Sequence, residues 1–261
     1  MYKRQGLLPL AQSFDTIGWL TRDGATLQRV ADWCLSYDGS ESTENVYGES
    51  DDDLPWRFVV PTEVLESVEP ATRAAFDAFL ERLASSTDAP VIDEVSIGRL
   101  DEYLVPFRTV QGAEAWRNNG EWVDAHPDAL GPAVADRLRA ASAIAADEEA
   151  TARRLLEPLA ERIHALVADA ILLMPTVPGP APMRTAQGER VDAVRVATLR
   201  MTTPAAIAGL PSLSAPLLTV RSQLGPAPVG ICVTSRAGTD IALVRLARRL
   251  AEGAAPRSET P

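Results

Sequence analysis

The chain has a single lysine. Lys3 is alone among 25 basic residues, and the other 24 are arginine. Arginine keeps its proton at neutral pH because its pKa lies above about 12, so lysine-based proton transfer is excluded from everything after Lys3. There are two histidines, His126 and His164, and no Gly-x-Ser-x-Gly elbow to go with them. That excludes the usual α/β-hydrolase form of a Ser-His-Asp site, and each reads as an ordinary surface or core histidine. The two cysteines, Cys34 and Cys232, stand far apart with no Cys-x-x-Cys companion. They read as buried free thiols, not as a disulfide or metal site. No apolar run approaches the roughly 20 residues of a membrane span. The first residues also lack the apolar stretch and small-residue cleavage site of a signal peptide, so a cytoplasmic location is expected. Clustered cations are missing too: the formal net charge is -11 and the arginines are interleaved with acids. This argues against nucleic-acid partners and against binding to anionic membranes. No phosphate-cradling glycine loop or zinc spacing occurs, and no cofactor is expected.

What is present is enough apolar sequence to bury a sizeable core. With 261 residues and 46% hydrophobic content, the chain suits one large α/β domain or two small ones. Asp23 is placed to cap an amphipathic helix carrying Leu27, Val30, Ala31 and Leu35. Residues 36–55 then form an acidic loop with seven acids between Asp38 and Asp53, whose spacing fits a solvated loop better than a cation site. Residues 57–60 read as a short buried strand closed by Pro61. Residues 62–85 carry two helical stretches, and 91–97 follow as a strand; this alternation is that of an α/β protein. A helix spans 100–122 with Tyr103, Phe107 and Trp116 as core aromatics. The next helical stretch, 132–168, is expected to kink or break near Pro158.

The final third reads as sheet core. Residues 170–174 are an apolar strand that runs into the proline-rich loop PTVPGPAPM, which suits a pocket wall. Residues 202–209 read as a short helix with Pro204 in its first turn and Gly209 at its end. Residues 210–220 and 229–233 read as strands joined by a turn around Gly225 and Pro226, and 238–250 as a last amphipathic helix. Residues 253–261 are a polar tail expected to be disordered.

The densest run of signals lies at residues 6–22, GLLPLAQSFDTIGWLTR. Ser13, Asp15 and Thr16 are short polar residues that turn the backbone through their own side chains, and Gly18 permits a positive φ there. A polar bend between apolar walls serves either as a solvent-exposed turn or as a site-forming loop. Three later segments accompany it in order: ILLMPTVPGPAP, TTPAAIAGLPSLSAPL and PVGICVTSRAGTDIALVRLARRLA. Together the four resemble segments of the amidase signature family of serine hydrolases, in that family's order. FDTIGW and FRTVQGAEAW look closest to the branch containing indole-acetamide hydrolases and amidase-like chloroplast import proteins.

The resemblance implies an amidase-signature-type mixed sheet flanked by helices and truncated on its N-terminal side. It makes residues 1–252 the C-terminal part of a single domain. Family members hydrolyse amides with a Ser, cis-Ser and Lys triad that forms an acyl-enzyme. The Gly-Gly-Ser-Ser-Gly-Gly loop that would carry it does not occur here, and Lys3 matches no family position. No catalytic residue is therefore carried over, and the chain alone is expected to be inactive. Asp15 matches an acidic position that would support the nucleophile-bearing segment, with Thr16 and Gly18 shaping the same turn. Thr176 matches a loop that helps line the acyl pocket, and Thr203 would lie at a helix start facing it. The implied partners are a small-molecule amide and the missing N-terminal half, with a homodimer left open. The resemblance also leaves room for an amidase-like scaffold without catalysis and for an A-type amidotransferase subunit.

Overall fold

The computed structural model describes residues 6–36, 54–222 and 224–254. Lys3, most of the acidic loop and the tail from 255 onward lie outside the described residues. Five strands form one mixed sheet: β1 (Arg57–Pro61), β2 (Val91–Val95), β3 (Ile171–Pro175), β4 (Ser212–Ser222) and β5 (Gly225–Thr234), in the order β2-β1-β3-β5-β4. β1 is parallel to both β2 and β3, whereas β5 runs antiparallel to β3 and to its hairpin partner β4.

β1 and β3 are nearly unbroken apolar runs because both of their faces are covered. Alternation then sorts their side chains. Phe58, Val60, Ile171 and Leu173 enter one core cluster with Phe76 and Phe79 of α3 (Pro70–Ala84) and Leu243, Leu246 and Leu250 of α8 (Asp240–Ala254). Val59, Leu172 and Met174 point the other way, against Tyr103 of α4 (Leu100–Ala125), Ile163 of α6 (Ala146–Leu166) and Met201 of α7 (Glu189–Ile207). The result is a three-layer α/β/α arrangement. Each fully buried Phe or Leu contributes about 1.5–3 kcal/mol, so these two faces dominate the stability of the sheet.

The short α2 (Thr62–Leu65) leaves β1 directly, and its Glu63 carboxylate accepts hydrogen bonds from Ser96 Oγ and from the Ile97 and Gly98 amides, both at 3.1 Å. Burial pushes this carboxyl up, but the three donors outweigh it and hold the group below the usual glutamate range. Gly98, at φ +86°, makes the turn in which both amides point at one carboxylate.

Four expectations need correction. The helical stretch from 132 does not yield at Pro158, which lies inside α6; it breaks at 142–145, between α5 (Pro132–Ala141) and α6. The Ser142 hydroxyl donates back to Arg139 O at 2.7 Å, and Asp147, Glu148 and Glu149 fill the first turn of α6, where negative charge favours a helix start. Pro204 sits in the last turn of the 19-residue α7, not the first turn of a short helix. Gly209, at φ +62°, does lie just past its end. The turn near Gly225 is tighter than expected, and the prolines at 226 and 228 belong to β5, opposite Arg221 and Thr219. α8 runs to Ala254, slightly into the tail expected from 253. Among the described residues, no helix is long and apolar enough to cross a membrane.

Candidate active-site groove

Residues 6–23 have no helix or strand, yet they are fixed by polar side chains. Asp15 holds the bend of this arm: its carboxylate accepts the Leu10 amide at 3.0 Å and the Ala11 amide at 3.1 Å, and its own amide donates to Ala11 O at 2.8 Å. Ser13 ties the arm to the helical layer, donating its amide to Glu114 Oε2 at 2.9 Å and its hydroxyl to Glu114 Oε1 at 2.5 Å. Arg153 completes the knot with bonds to Ser13 Oγ at 3.0 Å and Glu149 Oε1 at 2.7 Å, alongside its ion pair with Glu114 at 2.5 Å. Glu114 is only 4% exposed. Burial raises its pKa, but the Ser13 and Arg153 hydrogen bonds more than compensate and hold it below the usual glutamate range. Phe14 then packs on Phe107 at 4.6 Å between ring centroids.

Beyond the bend, the arm forms one wall of a groove of about 530 Å³. Thr16, Gly18 and Trp19 line this side, and Leu27, Ala31 and Leu35 of α1 (Gly24–Ser36) extend it. The Asp23 carboxylate caps α1 by accepting the Thr26 amide at 2.6 Å. The floor and far wall come from Met174, Cys232, Ser212 and Ser214 on the sheet, Thr202 and Ala205 at the end of α7, and Asp240, Leu243 and Val244 at the start of α8.

The residues expected at a site are brought together only in part. Thr16 and Gly18 line the groove, while Asp15 stands behind them and holds their loop. Gly18 does not adopt a positive φ, contrary to expectation, and a methyl group there would meet nothing within 4 Å. From Asp15 to Thr21 the chain has no turn, helix or strand. Thr176 reaches the groove through Ser214, whose hydroxyl lies 2.6 Å from its own. Thr203 does not reach it: the residue is 1% exposed, and its hydroxyl donates to Leu199 O at 2.6 Å. The start of α7 at Glu189 explains this, since it places Thr203 mid-turn with its side chain folded back on the helix. Its neighbour Thr202 is the one that lines the groove.

Sequence reasoning passed over Ser212, Ser214 and Glu114, while Cys232 is the buried free thiol expected of it. The serines had a legible signal, alternating with Leu213 on a strand whose even positions face one way. So had Glu114, which repeats Phe107 and Val110 at helical spacing and thus puts a carboxylate on the apolar face of α4. Ser212 Oγ lies 2.7 Å from Thr234 Oγ1, and Cys232 Sγ lies 3.9 Å from the same hydroxyl. Burial pushes the Cys232 thiol up to about 11, so it is no thiolate at neutral pH. Among the described residues, the lining therefore offers hydroxyls and apolar carbon with one carboxylate, Asp240, and no lysine, arginine or histidine. Such a groove suits a neutral, largely apolar group with one polar end. Among the described residues, no group of three or more histidine, cysteine or acidic side chains is placed to hold a metal ion.

The family model described as Amidase matches residues 2–244. The chain belongs to the amidase family. It is similar to Amidase 1 of Arabidopsis thaliana, at 26% identity over 94% of this chain and 62% of that protein. A crystal structure of an amidase superimposes with a TM-score of 0.76 at 25% identity, covering 93% of this chain and 54% of the other. A glutamyl-tRNA(Gln) amidotransferase component from Thermotoga maritima shares the fold, with a TM-score of 0.67 at 21% identity over 94% of this chain and 54% of that one. The chain thus spans about three-fifths of the length of Amidase 1.

Proposed function

We propose that this amidase-family chain supplies the acyl-binding side of a hydrolase that cleaves the carbon–nitrogen bond of small neutral amides. The reading rests on the groove between the arm and the β4–β5 hairpin, in which Thr16, Gly18, Ser212 and Ser214 meet an apolar lining. An amide's acyl group would lie on Met174 and Ala205, with the polar end toward the serine hydroxyls. The Ser, cis-Ser and Lys groups that form and resolve an acyl-enzyme would come from the portion of the domain to which this chain has no match. Asp15 and Glu114 then act as positioning residues, because they fix the arm that shapes the groove.

A chimaera tests this, joining the part of Arabidopsis Amidase 1 outside its match to this chain in front of the present sequence. Ammonia release from phenylacetamide is expected from the chimaera and not from the chain alone. Replacing the phenyl group by a carboxylate, as in malonamate, should slow turnover at least tenfold, since none of the described residues lining the groove is a cation that would receive it. Turnover by the chain alone, or a folded chimaera without turnover, would overturn the proposal.

A further inference from the structure

The arm leaves large apolar side chains outside. Ala11, Phe14 and Trp19 turn toward the core and Ser13 is tied to Glu114, yet Leu7, Leu8, Leu10, Ile17 and Leu20 are 56, 92, 52, 49 and 103% exposed. A loop that only had to close the surface of this chain would bury more of them, because exposing leucine forgoes about 1.5–3 kcal/mol per side chain. The exposed side chains also line two hollows. Leu8 and Leu10 bound a hollow of about 300 Å³ with Trp122 and Leu138, while Ile17 and Leu20 bound the active-site groove. Gly18 fits the same pattern: neither its φ nor any contact within 4 Å requires a glycine there, but a backbone passing closely over it would. Exposed apolar side chains concentrated in this way mark an interface.

We infer that the outer edge of the arm, residues 7–20, is the docking seam for the rest of an amidase domain. That portion amounts to about two-fifths of Amidase 1 of Arabidopsis thaliana and of its rice namesake, of which this chain covers 62 and 60%. The inference rests on the functional reading above and adds the surface by which the two portions meet. The partner covers Leu8 and Leu10 on one side of the bend and Ile17 and Leu20 on the other, and passes over Gly18 into the groove. The Glu114–Arg153 knot keeps the arm presented with its leucines outward.

The probe is the part of Arabidopsis Amidase 1 outside its match to this chain, made as a separate polypeptide and first shown to bind the remainder of its own protein. Mixed with the present chain, it should form a one-to-one complex by light scattering, and hydrogen exchange should slow across residues 7–20. Leu8→Asp and Leu20→Asp should each weaken binding at least tenfold. Both side chains are solvent-exposed, so the variants should keep the parent circular dichroism. Leu155→Asp, equally apolar and 55% exposed on α6, should bind as the parent does. Binding of the probe to its own remainder but not to this chain overturns the inference, as does equal binding by the arm variants. A self-dimer through the arm that excess probe fails to dissociate also overturns it. A complex that forms without amide turnover leaves the seam standing and removes only the hydrolase reading.

Discussion

Glu114 governs where the arm sits. Its carboxylate holds Ser13 by two hydrogen bonds and Arg153 by an ion pair, so Glu114→Gln leaves a partly buried guanidinium with a poorer acceptor. We expect a loss of about 1.5–3 kcal/mol, the range for hydrogen bonds to charged groups, in chemical denaturation, with faster hydrogen exchange at Ser13. The Glu114 pKa is lowered in the folded state. Its stabilisation is therefore fully present above the ordinary glutamate value of about 4.3, and declines as pH falls from there through the lower native value. Acid titration of the parent against Glu114→Gln should show the difference in stability shrinking over that window. Cys232 gives a second expectation at this scale. Buried and shifted up to about 11, it should stay unlabelled by a thiol reagent at pH 7.5 while the half-buried Cys34 reacts. Equal labelling of both in the native chain would contradict its burial. Asp15, Thr16 and Gly18 could be picked out in the sequence because turn chemistry is local. The partners that fix the neighbouring Ser13, namely Glu114 and Arg153, are about a hundred or more residues away, and no local pattern joins them.

Helices and strands show the same division between local and distant causes. β1 and β3 announce themselves because strands buried on both faces must be continuously apolar. The caps of α1 and the Gly209 end of α7 are equally local. What misled was proline. Pro158 and Pro204 read as boundaries, yet both lie within helices whose packing on α4 outweighs the missing hydrogen bond. Pro158→Ala should restore the amide donor to Arg154 O and raise stability by about 1–3 kcal/mol, measured by thermal unfolding. A loss of stability would mean that the proline ring packs usefully. On the sheet, Gly230 carries no side chain because a methyl group would come within 2.7 Å of Thr176 Oγ1 and close on the Ser214 hydroxyl. Gly230→Ala should separate this hydroxyl pair at a cost of about 1–3 kcal/mol, visible as a lower melting temperature.

For the molecule as a whole, the exposed arm leucines and the open groove predict a sticky chain. Alone, it should bind a hydrophobic dye in its native state and self-associate with concentration, and Leu8→Asp with Leu20→Asp should reduce both effects. A cooperative melt of a strictly monomeric, dye-negative chain would contradict this expectation. The mixed sheet has another consequence, in time. Central β3 lies beside β1, pairing Ile171 with Phe58, and its other flank is β5, which ends at Thr234. As the chain emerges from the ribosome, β1 waits more than a hundred residues for its central neighbour, and β3 then waits about fifty more for β5. Non-local pairing of this kind is slow to form. From β1 to β5 the nascent protein therefore carries an apolar strand with one edge unpaired, so its yield in a cell should depend on chaperone capacity more than on the stability of the finished fold.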